Sequence, residues 1–180
     1  MIFDPHFWLF DSVLSDGLCD LIIERGNEMN KELGVAGGEV VLDMRKSHIA
    51  WFDHNDWIAG LCYHYATLAN KQAWNFDIDN MDGCQFTEYG VDEFYEAHMD
   101  THKLCDDMRK VSVVMQLNSK EDYQGGEFLF VDGDEGYEPD NFANRGSVIV
   151  FPSFLYHQVK PVTGGKRHSI VSWFTGPQIK

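Results

Sequence analysis

The sequence predicts an α+β protein that is mainly β, with a helical N-terminal layer packed on a C-terminal β-sandwich or barrel. Three observations carry this. Helical periodicity is confined to the part of the chain before residue 82. Beyond it come short apolar or alternating runs separated by Gly-rich turns, the pattern of many short strands. The length of 180 residues suits one domain with a usable core.

Taken in order, residues 16 to 33 place Leu18, Leu21, Ile22 and Met29 at helical spacing, with Ser15 or Asp16 as the cap. Residues 55 to 74 repeat the pattern through Trp57, Ile58, Leu61, Tyr65, Leu68 and Ala69, capped by Asn55 or Asp56. Between the two, GEVVLDMRKSHIAWF reads as strand. The later strand signals are CQFTEYG, EFYEAHMD, VSVVMQLN, EFLFV, GSVIVFP, HQVKPV and HSIVSWF, with DGDEG, NRG and TGGK as separators. The expected division is a helical and strand lead-in over 1–82 and a β core over 83–177.

Composition narrows the function. Hydrophobic residues make up 44%, so the chain folds. A formal charge of −15 repels phosphate backbones and predicts no nucleic-acid partner. No apolar run approaches the ~20 residues of a membrane span, so no membrane partner is expected. The N-terminal segment lacks a basic start and carries acids within its apolar part. Cys19, Cys62, Cys84 and Cys105 show no CxxC spacing. Reduced thiols and a cytoplasmic location are therefore expected.

The chemistry gathers at YEAHMDTH, residues 95 to 102, where His98, Asp100 and His102 fall on alternate positions. If 94 to 100 is a strand, His98 and Asp100 share a face about 6.6 Å apart, at ~3.3 Å per residue. THKLCDD reads as loop, so the alternation is expected to fail at His102. The pair needs a third ligand from another strand. His157, which follows one apolar run and opens the next, is the candidate. Two histidines and a carboxylate on one face of an ion form the triad of non-haem Fe(II) oxygenases, whereas four thiolates or three histidines indicate zinc. Arg167, just past the TGG turn, has the guanidinium to clamp a carboxylate bidentately. Each feature alone also reads as an ordinary surface or core residue. Their order along the chain is what distinguishes them.

That order resembles the 2-oxoglutarate- and Fe(II)-dependent dioxygenases, and within them the prolyl-4-hydroxylase-like group of bacterial and phage type. The likeness rests on YEAHMD (Tyr95, His98, Asp100), DYQGGEFLF (Gly125, Gly126, Glu127) and FPSFLYHQVKPVTGGKRHSIVSW (His157, Arg167, Ser169, Trp173), and runs from about residue 84 to 176. MRKSHIAWF and ANKQAWNFDI are similar to the lead-in of such proteins. The resemblance implies a double-stranded β-helix (jelly-roll, cupin-like) with N-terminal helices on one sheet. It implies Fe(II) held by His98, Asp100 and His157, 2-oxoglutarate and O2 as co-substrates, and ascorbate as a further cofactor. Arg167 would bind the distal carboxylate of 2-oxoglutarate, where collagen-type enzymes usually have lysine. Ser169 would assist on the same face, and Tyr89 matches a position that often hydrogen-bonds the co-substrate. Met115 falls where some relatives carry a tyrosine touching 2-oxoglutarate. Tyr95 has the opposite parity from His98 and is expected to pack.

The implied activity is hydroxylation of an unactivated C–H bond, with a prolyl residue of a peptide or protein as the family-level substrate. A free amino acid or other small metabolite is the alternative on the same fold. A non-catalytic β-barrel that binds metal or ligand is the alternative of another class. Loops 34–47 and 100–108 are the expected groove walls, with Arg45 and Trp51 as wall residues. Against that, Arg45 reads as an ion pair with one of the many acids, and Trp51 and Trp173 as core.

Overall fold

Two antiparallel sheets of unequal size meet face to face, and two helices cover the outer face of the larger one. The computed structural model describes residues 6–101, 107–133 and 135–177. In chain order the elements are β1 (Trp8–Phe10), α1 (Asp16–Glu28), β2 (Glu32–Leu33), β3 (Arg45–Lys46), β4 (His48–Phe52), α2 (Trp57–Ala73), β5 (Asn80–Tyr89), β6 (Phe94–His98), β7 (Asp107–Gln116), β8 (Tyr123–Gly125), β9 (Phe128–Asp132), β10 (Glu135–Tyr137), β11 (Val148–Pro152), β12 (His157–Val159), β13 (Val162–Gly165) and β14 (Arg167–Pro177). The major sheet runs β1-β11-β7-β14-β5-β4-β2 and the minor sheet β10-β9-β12-β6-β3, with β13-β8 as a separate ribbon. This is a double-stranded β-helix with helices on one sheet.

The helices form where expected, with shifted ends. Ser15 caps α1 by accepting from the backbone N–H of Leu18, and Asp56 caps α2 by accepting from Ile58. α1 stops at Glu28 instead of running to 33, because Glu32 and Leu33 pair with Ile49 and His48 of β4. Strand pairing here overrides local helical spacing. The buried stripe of α1 is Cys19, Ile22 and Gly26, while Leu21 is exposed. Gly26 lies against the ring of Phe86, which would sit 2.5 Å from an added Cβ. Only glycine admits that approach.

Alternation along the major sheet makes two cores. Phe86, Val111, Val113, Met115, Val148, Val150 and Ile170 face the helices. Val114, Ile149 and Phe151 face inward onto Phe128, Phe130 and Val159 of the minor sheet. The strand expected over 38–52 divides at Ser47: β3 joins the minor sheet through β6, and β4 joins the major sheet through β5. GGEF does form a turn followed by a strand, with Gly125 and Gly126 at φ +68° and +67° before β9. TGGK is not a plain turn. Most of it lies in β13, which pairs with β8. Cys19, Cys62 and Cys84 are free and buried, and Cys105 lies outside the described residues. Among the described residues no helix is long and apolar enough to cross a membrane.

Candidate active site

Three of the predicted residues converge between the sheets. One ligand atom from each of His98, Asp100 and His157 lies within 4.8 Å of the other two. His98 and His157 are directly opposed across β6 and β12. Asp100 arrives differently from its expected place on a strand over 94–100, because β6 ends at His98. The turn beyond is held by Ser153, whose carbonyl accepts from the backbone N–H of Asp100 at 2.9 Å and of Thr101 at 3.1 Å. His102 lies outside the described residues.

The donor atoms are prepared for a cation. His98 Nδ1 is 2.7 Å from the carbonyl of Glu96, and His157 Nδ1 is 2.9 Å from that of Leu155. A carbonyl only accepts, so each Nδ1 carries a proton, and each Nε2 is the ring nitrogen turned toward Asp100 and available to a metal. Those Nε2 atoms stand 3.6 Å and 3.5 Å from the two oxygens of Asp100, too far to hydrogen-bond. Burial pushes the His157 imidazole down to about 4, which leaves it neutral at neutral pH. Burial alone would raise the Asp100 carboxyl, but His157, His98 and the Ser112 hydroxyl outweigh it and hold the group well below its ordinary value. Ser112 Oγ donates to Asp100 Oδ2 at 2.7 Å and contacts Ser153 Oγ at 2.9 Å. Two imidazoles and one carboxylate, all aimed at one point, fit a divalent metal ion.

The same cavity holds a counterpart for an anion. It has about 400 Å³ of free space including its open mouth, and is lined by Arg167, Tyr89 and Ser169 as well as His98, Asp100 and His157. Arg167 is 2% exposed, yet no carboxylate among the described residues lies within ion-pair distance of it. Its guanidinium stands 5.9 Å from the Tyr89 ring, its register partner on β5. A buried, unpaired guanidinium is costly unless an anion completes it.

Several expectations fail, each for a local reason. Tyr95 does not pack away from the site. Its ring stacks on His98 at 3.5 Å. On β12, His157 and Val159 are two residues apart; on β6 their partners His98 and Tyr95 are three apart. That extra residue is a β-bulge, and it turns both rings to one face. Met115 is buried in the helix-side core, while its neighbours Val114 and Gln116 face inward. Arg45 has no acidic partner among the described residues. It donates to Ser47 Oγ and the Val35 carbonyl and covers the Tyr95 ring at 4.6 Å. Trp173 is buried as expected and also lines the cavity, but half-exposed Trp51 tilts against it at 6.1 Å instead of filling the helix–sheet core. Sequence reasoning missed Ser112, Gln85 and Phe128. The inward parity of β5 and β7 marks the first two; nothing local marks Phe128.

The pattern that defines the 2OG-Fe(II) oxygenase superfamily matches residues 84–175. This chain belongs to that superfamily. Fe(II), 2-oxoglutarate and O2 are accordingly the reagents of a 2OG-Fe(II) oxygenase, and the His-Asp-His group is where its structure offers a metal site. A PKHD-type hydroxylase of Prochlorococcus marinus (strain MIT 9211) is 32% identical over 91 residues, 51% of this chain and 40% of that protein. The chain thus spans less than half the length of the curated relatives it matches. Among solved structures, a Pseudomonas putida prolyl-4-hydroxylase superposes with a TM-score of 0.76 at 23% identity, covering 95% of this chain and 93% of that one. A prolyl hydroxylase from Trichoplax adhaerens, in complex with a hypoxia inducible factor oxygen degradation domain peptide fragment, gives 0.78 at 19% identity, covering 95% and 84%. These two are likenesses of fold.

Proposed function

We propose that this 2OG-Fe(II) oxygenase hydroxylates a prolyl residue of a peptide or protein, with the 83–177 core carrying the chemistry. The observation that carries the reading is one cavity holding both a ligand triad and an unpaired buried guanidinium. His98, Asp100 and His157 would hold Fe(II). Arg167 would take the distal carboxylate of 2-oxoglutarate bidentately, with Tyr89 and Ser169 beside it. When bound, the iron supplies O2 activation coupled to decarboxylation of 2-oxoglutarate to succinate and CO2, with hydroxylation of a C–H bond. The chain's own residues supply placement. The Glu96 and Leu155 carbonyls fix the two imidazole tautomers, and Ser112 fixes the carboxylate. Val114, Phe128 and Val171 line the cavity with apolar surface that excludes water.

The mouth supports a peptide. Trp173, Trp51 and the Arg45–Tyr95 pair form an aromatic wall, and Val35, Val40, Val41, Leu42 and Met44 are exposed on the segment leading to Arg45. A chain of residues, more than a single metabolite, would cover that apolar surface. The test incubates the protein with Fe(II) and 2-oxoglutarate and either proline-containing peptides or free amino acids. Succinate release driven by peptides, with a peptide mass gain of one oxygen, is the expected result. Release driven only by free amino acids would replace the peptide reading with the small-metabolite one.

A further inference from the structure

The Arg167 guanidinium has no hydrogen-bonding partner among the described residues, so the chain on either side must aim it. Both sequence neighbours turn to the opposite face of β14 and end on one carboxylate. Lys166 Nζ donates to Glu88 Oε1 at 2.9 Å, and His168 Nε2 lies 3.1 Å from Glu88 Oε2. Lys31 Nζ, from the segment after α1, donates to that same Oε2 at 2.7 Å.

The placement is set by pairing. Glu88 stands opposite His168 as Tyr89 stands opposite Arg167, so the hub lies directly behind the clamp. Asn118 secures the other side of His168. Its Oδ1 accepts the His168 backbone N–H at 2.5 Å and lies 3.1 Å from Nδ1. The imidazole also stacks on Phe86, at 5.5 Å. Burial would raise the Glu88 carboxyl, but Lys31, Lys166 and His168 outweigh it and hold it at about 2. The Glu88 carboxylate is therefore anionic at any working pH. Without that charge, Lys31 and Lys166 would face each other uncompensated beside His168, and the residues flanking the clamp would lose their side-chain tie to β5.

We propose that Glu88 is a positioning residue for dicarboxylate binding: by anchoring Lys166 and His168 on the helix side of the sheet, it fixes Arg167 and Tyr89 in register on the cavity side. The inference rests on Arg167 being the 2-oxoglutarate clamp. It goes beyond that reading in assigning the aim of the clamp to a carboxylate on the other face of the sheet.

The test titrates 2-oxoglutarate into Mn(II)-loaded protein by calorimetry, alongside steady-state kinetics. Glu88→Gln keeps the shape and removes the charge. Its dissociation constant and KM for 2-oxoglutarate are expected to rise on the order of tenfold, the equivalent of ~1.4 kcal/mol. kcat at saturation, Mn(II) affinity and peptide KM should stay within about twofold, a split that general loosening would not produce. Lys166→Met, at the most exposed of the three donors, provides a milder variant should Glu88→Gln fold poorly; a rise of roughly threefold is expected for it. Unchanged 2-oxoglutarate affinity in both variants, or equal losses for metal and peptide, would overturn the proposal. Arg167→Met serves as the control. If it binds 2-oxoglutarate as tightly as wild type, the clamp assignment has failed, and the role of Glu88 fails with it.

Discussion

Away from the Glu88–His168 cluster, the two faces of the major sheet along β5, β7 and β14 are equally buried and chemically opposite. Toward the helices, Phe86, Val113, Met115 and Ile170 are each 0% exposed. Toward the minor sheet, Gln85, Thr87, Ser112, Gln116, Arg167 and Ser169 are each 2% exposed or less. They alternate along the same three strands, β5, β7 and β14. Burial alone therefore does not distinguish core from site in this fold. The distinction is that the inward face withdraws polar groups from water at a cost that a bound ion and anion would offset.

The comparison breaks most sharply at Asp100. Asp100→Ala should abolish substrate-dependent succinate formation and reduce metal affinity by more than about 100-fold, beyond what loss of an outer partner costs. Calorimetry with Mn(II) and a succinate assay check this, and full turnover would contradict the metal assignment. On the opposite face, Phe174→Ala should cost ~3–5 kcal/mol of stability in a urea titration. The folded fraction should retain its KM for 2-oxoglutarate, since Phe174 belongs to the helix-side core. Arg167→Ala should weaken 2-oxoglutarate binding by about 2–5 kcal/mol, the cost of removing one partner of a buried charged pair. An unchanged KM would remove its role. Ser112→Ala, which deletes the donor to Asp100 Oδ2, should lower metal affinity by roughly 10–100-fold and leave the melting temperature nearly unmoved.

The smallest effect concerns pH. Glu88 titrates at about 2 in the fold against an ordinary 4.5. A depressed carboxyl stabilises the fold fully above its ordinary value and loses that contribution as pH falls from 4.5 toward 2. Glu88→Gln should flatten that part of the stability curve, measured by urea midpoints across the range.

Much of the candidate site was legible because the chemistry proposed for it depends on residue type and order. His98, Asp100, His157 and Arg167 are unusual choices for apolar strand surroundings, and their sequence spacing drew them out before any geometry. What stayed hidden depended on exact register. The inward turn of Tyr95 needs a bulge that no residue type announces. Met115 was off by one position, and in a period-two structure one position is the opposite face. Arg45 resisted for a different reason: in a chain with 29 acids an ion pair is the natural guess, but its partners are a hydroxyl, a carbonyl and a ring. The fold was legible at the level of helices before strands. β1, β8, β10 and β13 were not, because strands of three or four residues carry too little alternation to stand out.

The extra residue in β6 has a consequence for anyone editing this chain. Deleting either Glu96 or Ala97 would leave every side chain named for the site intact, yet remove the bulge, because the tyrosine and histidine would then be spaced as Val159 and His157 are. The phenol and the imidazole would stay on one face, two positions apart, so the edit would show whether the site needs the bend of the bulged strand or only the shared face.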